Sequence, residues 1–317
     1  MAIYVRRYNA SAVLGNDLTS STGAPALTGL AGTLISVLDY CLTDATYGIG
    51  WTKAYTGTNK AVYRQPTSGA NGFYLAVDDS VGINATVAGF ESMTGVSAGS
   101  GQFPTTAQNA TLQSGWNLAV YKSSTADTTA RSWQFFSNGK IFYLVVYNTG
   151  TSASNIFIFG DYVSYKSGDQ FNTIIGANTS LSATTASCVL TNIQSWNATS
   201  YVRQWGARSH SQAGTSVWLP VVPSPIQTGY YGGGGEAYPN QITGGLSVSP
   251  LWVAEYNVGL RGALPGIWCP VHTRPFATGD VFAGNGDIAG KTFEVGTSGG
   301  SGVSQFFFET SDTWATS

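Results

Sequence analysis

The stretch from Trp133 to Phe159 constrains the fold more than any other part of the chain. Two apolar and aromatic runs, Trp133-Gln134-Phe135-Phe136 and Ile141-Phe142-Tyr143-Leu144-Val145-Val146-Tyr147, flank Ser137-Asn138-Gly139-Lys140. Asn-Gly in that setting predicts a hairpin, because both residues tolerate the positive φ of a type I′ turn. Asn148-Thr149-Gly150 turns the chain again before Asn155-Ile156-Phe157-Ile158-Phe159, which completes a three-strand meander. The middle strand is apolar without alternation. A strand with one wet face would alternate, so both faces of this one must be covered. An open, one-sided sheet is excluded, and a sandwich or barrel interior is expected.

Further strands are expected at 72–77, 171–175, 251–256, 291–295 and 305–308, separated by Gly/Ser/Thr loops. Strands at short spacing with Gly-rich turns indicate sandwich or barrel architecture. One segment has helical period: Leu30, Leu34, Leu38 and Cys41, with Leu42 beside them and Thr28 placed to cap. The fold class is therefore mainly β, built of β-sandwich or barrel-like modules, with one amphipathic helix near residues 28–43. We divide the chain into an N-terminal arm (1–22), a helix plus main β module (23–205), and a second β module or C-terminal extension packed on the first (206–317). The arm assignment rests on how little apolar area the first residues offer. The Pro-rich run from Trp218 to Pro225 and the glycines Gly232 to Gly235 mark a boundary or long crossing loop between about 200 and 240.

Composition narrows the partners. Only 9% of the 317 residues are charged, while 43% are hydrophobic and 13% aromatic. Soluble domains usually carry ~25% charge. The aromatic content excludes a disordered low-complexity chain, and no apolar run reaches the ~20 residues of a membrane span. A net charge of -2, with Arg6-Arg7 the only adjacent basic pair, argues against nucleic acid as the main partner. Cys41, Cys188 and Cys269 lie far apart and read as buried free thiols. The N-terminus shows no signal peptide. A surface of hydroxyls and amides suits burial against other protein, because few charges need desolvating.

The segment from Gly50 to Arg64, Gly-Trp-Thr-Lys-Ala-Tyr-Thr-Gly-Thr-Asn-Lys-Ala-Val-Tyr-Arg, resembles one found in structural proteins of tailed-bacteriophage virions. There too an aromatic strand ending in paired acids follows, here Phe73-Tyr74-Leu75-Ala76-Val77-Asp78-Asp79. Similar phrases are Gly89-Phe90-Glu91-Ser92-Met93, Gly101-Gln102-Phe103-Pro104, Phe159-Gly160-Asp161 with Ser167-Gly168-Asp169, and Leu264-Pro265-Gly266-Ile267-Trp268 leading to Val271-His272-Thr273-Arg274-Pro275. The likeness touches most of the chain from about 25 to 295. It implies a virion component, associated with capsid, neck or tail, and carries no catalytic motif.

Residues capable of chemistry are few. His210 and His272 are the only histidines, and no Gly-x-Ser-x-Gly elbow accompanies them, so structural or interface roles are expected. Asp78, Asp79, Glu91, Asp161 and Asp169 are the acids that a glycan-cleaving enzyme would need in facing pairs. Asp78-Asp79 directly after a strand more simply satisfies turn amides. Gly279-Asp280 and Gly284-Asn285-Gly286-Asp287 weakly suggest a calcium loop, but the EF-hand spacing is missing. No catalytic, cofactor-binding or metal residue is assigned. The sequence thus points to a non-enzymatic structural component of a tailed-phage virion, with tail or neck favoured over capsid decoration. It would form symmetric homo-oligomers, dock on other virion proteins and reside in the virion. A receptor- or glycan-binding module of a tail tip or fibre, with a host surface glycan as partner, is the alternative. A glycan depolymerase is third.

Overall fold

The computed structural model describes residues 2–15, 17–110, 117–151, 154–177, 205–211, 215–218, 221–222, 238–255, 258–270, 272, 276–298, 304–311 and 314. Its centre is a seven-stranded antiparallel sheet. The order is Tyr4–Tyr8, Ser132–Ser137, Ile141–Thr151, Ser154–Asp161, Thr173–Gly176, Trp205–Arg208 and Ser216–Trp218. A five-stranded sheet, the N-terminal sheet, runs in chain order through Thr52–Gly57, Lys60–Arg64, Tyr74–Asp78, Asn84–Phe90 and Ala119–Tyr121. The C-terminal sheet has the order Val221–Val222, Val248–Glu255, Gly259–Pro270, Ser304–Glu309, Thr292–Ser298 and Val281–Ala283. Val163–Ser164 pairs with Gly259–Pro270 and links the central region to that sheet.

The two outer sheets cover opposite faces of the central one. Phe142, Leu144, Val146, Phe157 and Phe159 join the N-terminal sheet and the helix in one core. Ile141, Tyr143, Val145, Tyr147, Ile156 and Ile158 join the C-terminal sheet in a second. The period-2 geometry of a strand sends successive residues to opposite faces. An unbroken apolar run therefore fills two cores at once, as the sequence requires. Each large side chain moved from water to such a site contributes about 1.5–3 kcal/mol. A third, smaller core of Phe293, Val295 and Phe307 lies on the far side of the C-terminal sheet.

Three expectations need correction. The Asn138-Gly139 turn exists and sets the register Ser137 to Phe142, but it is not type I′. Gly139 has φ 88° while Asn138 does not take positive φ. Asn138 instead accepts the backbone N–H groups of Lys140 and Ile141 with its Oδ1, at 3.0 and 3.1 Å. The helix begins at Thr33, not Thr28: an α-helix over Thr33–Leu38 widens into a π-helical turn over Asp39–Thr43. Leu34, Leu38, Cys41 and Leu42 are buried, whereas Leu30 precedes the helix and is 41% exposed. The Thr28 hydroxyl accepts the Leu30 N–H and the Thr28 backbone bonds Thr33 Oγ1, while the carboxylate that caps the helix amides comes from another element. Asp79 Oδ2 accepts the Leu34 N–H at 2.8 Å.

The N-terminal arm is the third correction. Tyr4–Tyr8 is the edge strand of the central sheet, antiparallel to Ser132–Ser137. Ile3 and Val5 pack on one core, and Tyr4 and Tyr8 on the other. The few apolar residues suffice because both flanking cores are already built for them. The expected division at 205/206 runs into the strand Trp205–Arg208, so both outer sheets share the central one. The Pro-rich and Gly-rich stretches from 223 to 237, and Cys188, lie outside the described residues. Cys41 is a buried free thiol, and Cys269 is buried. Among the described residues no helix is long and apolar enough to cross a membrane.

Candidate functional site

The sequence-singled acids and histidines separate into distinct surroundings. Asp78, at the end of its strand, pairs with Lys60 at 2.6 Å and accepts the Ser80 N–H at 3.1 Å. Burial pushes its carboxyl up, and the bonds from Lys60 and Ser80 more than offset that, leaving it below the usual range. Its neighbour Asp79 turns inward and is fully buried against Lys122, itself fully buried. Burial raises Asp79 to about 6 against the pull of Lys122 and of the Leu34 and Ile35 backbone amides, and burial lowers Lys122. Asp161 is also buried. It accepts hydrogen bonds from Thr173 Oγ1 (2.5 Å), Gln65 Nε2 (3.0 Å) and the Asn71 N–H (2.8 Å), and burial raises its carboxyl.

Asp169 and His210 come together where the central and C-terminal sheets meet. Arg261 is the hub. Its Nε and Nη2 donate to the two Asp169 oxygens at 3.1 and 3.2 Å, and its Nη1 donates to Glu255 Oε2 at 3.1 Å. It also donates to the carbonyls of Arg208 (2.7 Å) and Phe171 (2.8 Å). Glu255 further accepts from Ser209 Oγ at 2.9 Å and the His210 N–H at 3.1 Å, and meets His210 Nδ1 at 3.0 Å. Arg208, next in the strand, pairs with Glu91. Burial pushes Asp169 and Glu255 up. For Asp169 the bonds from Arg261, Ser164 and the Phe171 N–H prevail, and for Glu255 those from His210 and Ser209 and the charge of Arg261. Both are held below the ordinary carboxylate range.

This geometry limits the chemistry. A nucleophilic triad places the histidine between hydroxyl and acid. Here Ser209 and His210 both sit on Glu255 Oε1, so the histidine does not stand between them. A glycosidase acid must be held protonated near neutral pH, whereas Asp169 and Glu255 are stabilised as anions. His272 is buried, and its Nε2 accepts the Ser247 N–H at 2.8 Å, a structural role. Asp280 accepts the Ala277 N–H at 2.8 Å inside its own turn. Asp287 lies in the short 3-10 turn Gly286–Ile288. Among the described residues no group of three His, Cys, Asp or Glu is placed to hold a metal ion. A groove of about 430 Å³ beside Asp280 has Leu14, Leu18, Phe276 and Phe282 among its walls.

Sequence reasoning missed Glu255, Arg261 and Lys122. Glu255 had a usable signal. Leu251, Val253 and Glu255 share one phase of a strand whose alternate residues are buried, and a charge in an inward phase needs a buried partner. Lys122 likewise follows the fully buried run Ala119-Val120-Tyr121. Nothing local predicts that Arg261 would meet Asp169, 92 residues away. No protein-family model and no curated protein matches this chain.

Proposed function

We propose that this chain is a non-enzymatic structural component of a tailed-phage virion, acting by symmetric oligomerisation and docking to other virion proteins of the tail or neck. The observation that carries this reading is where the charge lies. A chain with only 9% charged residues places Asp79, Lys122, Glu255, Arg261 and Glu294 inside and covers the Asp169 side chain. The remaining surface is poor in charge, and its burial against a neighbour costs little desolvation. Apolar side chains stand exposed on it: Tyr165, Val258 and Leu260 near the hairpin that joins two C-terminal strands, and Leu30 and Val81 elsewhere. The phrases shared with tailed-phage virion proteins supply the biological setting. Asp169 and Glu255, bonded on all sides and held as anions, support a structural role for their cluster.

Light scattering and analytical ultracentrifugation of the purified chain test the reading. A closed homo-oligomer is expected, with at least one interface of ~1,200–2,000 Å². A strict monomer at micromolar concentration that also fails to bind purified particles would overturn it. Release of soluble sugar from host polysaccharide, abolished by Asp169→Asn with the fold intact, would replace it with a depolymerase.

A further inference from the structure

We propose that Lys122 and Asp79 become joined by an intramolecular amide bond between Lys122 Nζ and Asp79 Cγ. Both side chains are fully buried, and Nζ is in direct hydrogen-bond contact with Oδ1. The other groups near the amine are uncharged: Leu30 O at 2.7 Å and Thr33 Oγ1 at 3.5 Å. Taking two charges out of water is costly, and a buried group often neutralises instead. Burial moves both partners that way, Asp79 up to about 6 and Lys122 down. An uncharged amine is a nucleophile, and a protonated carboxyl is its electrophile. Ion pairing would quench both.

The second carboxyl oxygen is also held. Asp79 Oδ2 accepts the Leu34 N–H at 2.8 Å, and the Ile35 N–H bonds the same carboxyl. Backbone donors aimed at an oxygen that gains charge stabilise a tetrahedral intermediate. In the step itself the Nζ lone pair attacks Cγ and the N–C bond forms as an electron pair moves onto Oδ2. Oδ1, already carrying one proton, takes a second from nitrogen and leaves as water as the C–O bond breaks. Acid and amine become amide and water, with nothing oxidised or reduced. Held contact removes the entropic barrier that makes the same condensation slow between free molecules.

The product would tie the end of Tyr74–Asp78 to the end of Ala119–Tyr121, closing residues 79–122 into a covalent loop. This inference stands independently of the virion reading. The test is the intact mass of the folded wild-type chain beside that of Lys122→Met. The wild type is expected to be lighter than its sequence by one water, with the Lys122→Met chain at full sequence mass. Tryptic digestion of the wild type should leave the bond after Lys122 uncut and yield one peptide spanning 65–131, lighter than its sequence by one water and closed into a loop between Asp79 and Lys122. A wild-type mass equal to the sequence, with normal cleavage after Lys122, would overturn the proposal. So would loss of one water that persists in Lys122→Met.

Discussion

Two buried ionic clusters flank the central sheet, and they resolve the cost of burial in opposite ways. On the side of the N-terminal sheet, Asp79 meets the Lys122 amine and a pair of backbone amides, and burial prevails: the carboxyl rises to about 6. Towards the C-terminal sheet, Asp169 and Glu255 share the guanidinium of Arg261. Each also receives further donors, Ser164 and the Phe171 N–H for one, Ser209 and the His210 N–H for the other. There the donors prevail and both carboxyls fall below their usual range. A planar fork satisfies several acceptors at fixed geometry, whereas an ammonium acts as a point charge. In these two clusters donors oppose burial, and the guanidinium tips the balance for Asp169 and Glu255, whereas Asp161, with three uncharged donors in contact, stays raised.

The largest effect is expected where the donors are concentrated. Arg261→Ala strands two buried acids and should cost about 3–5 kcal/mol, read from the midpoint of urea unfolding. Arg261→Lys keeps the charge but not the fork, and should recover only part of that loss. Lys122→Met should cost less, about 1–3 kcal/mol, because Asp79 can retain a proton and still accept the Leu34 N–H. Equal losses in Arg261→Ala and Lys122→Met across all pH values would remove the distinction between the clusters.

The pH dependence sharpens the contrast, and the signs are opposite. In Lys122→Met, Asp79 has no cation, so its folded value stands above about 6. A raised acid contributes stability below its unfolded value of ~3.9 and loses it as pH rises through the folded value. That variant should therefore weaken from pH 5 to pH 8. The depressed Asp169 and Glu255 contribute above their unfolded values and lose that contribution as pH falls through their folded ones, so the wild type should weaken below about pH 4. Unfolding midpoints measured from pH 3 to 8 report both arms. An amide-linked wild type has neither Asp79 nor Lys122 left to titrate and should weaken less towards pH 8 than Lys122→Met, the raised Asp161 and Glu294 being common to both. The smallest effect belongs to His210→Gln. The ring is 35% exposed, so its pairing with Glu255 should be worth less than about 1 kcal/mol in the same assay.

The sequence carried the layers better than the contacts. The run from Ile141 to Tyr147 required two covered faces, and both outer sheets are present. Every predicted strand of the meander is found, extended by a few residues at its ends. Pattern reasoning could not see that Asp79 caps a helix 45 residues earlier, so it gave that role to Thr28. The arm at 1–22 failed for a related reason. Whether a short apolar segment folds depends on the surface waiting for it, and Tyr4–Tyr8 finds two cores and the buried Glu294, which pairs with Arg7. The Arg261 cluster depends on the meeting of distant loops and strands, which no local period encodes.

The central claim, the proposed assembly role of this low-charge β body, is tested most directly by imaging the intact particle. The proposed virion role predicts that the chain, carrying a dense tag, stands at fixed, symmetric positions on the tail or neck of purified phage particles. Its copies should contact one another through charge-poor surface. Particles that lack the chain altogether, or hold it at random sub-stoichiometric sites, would contradict the account.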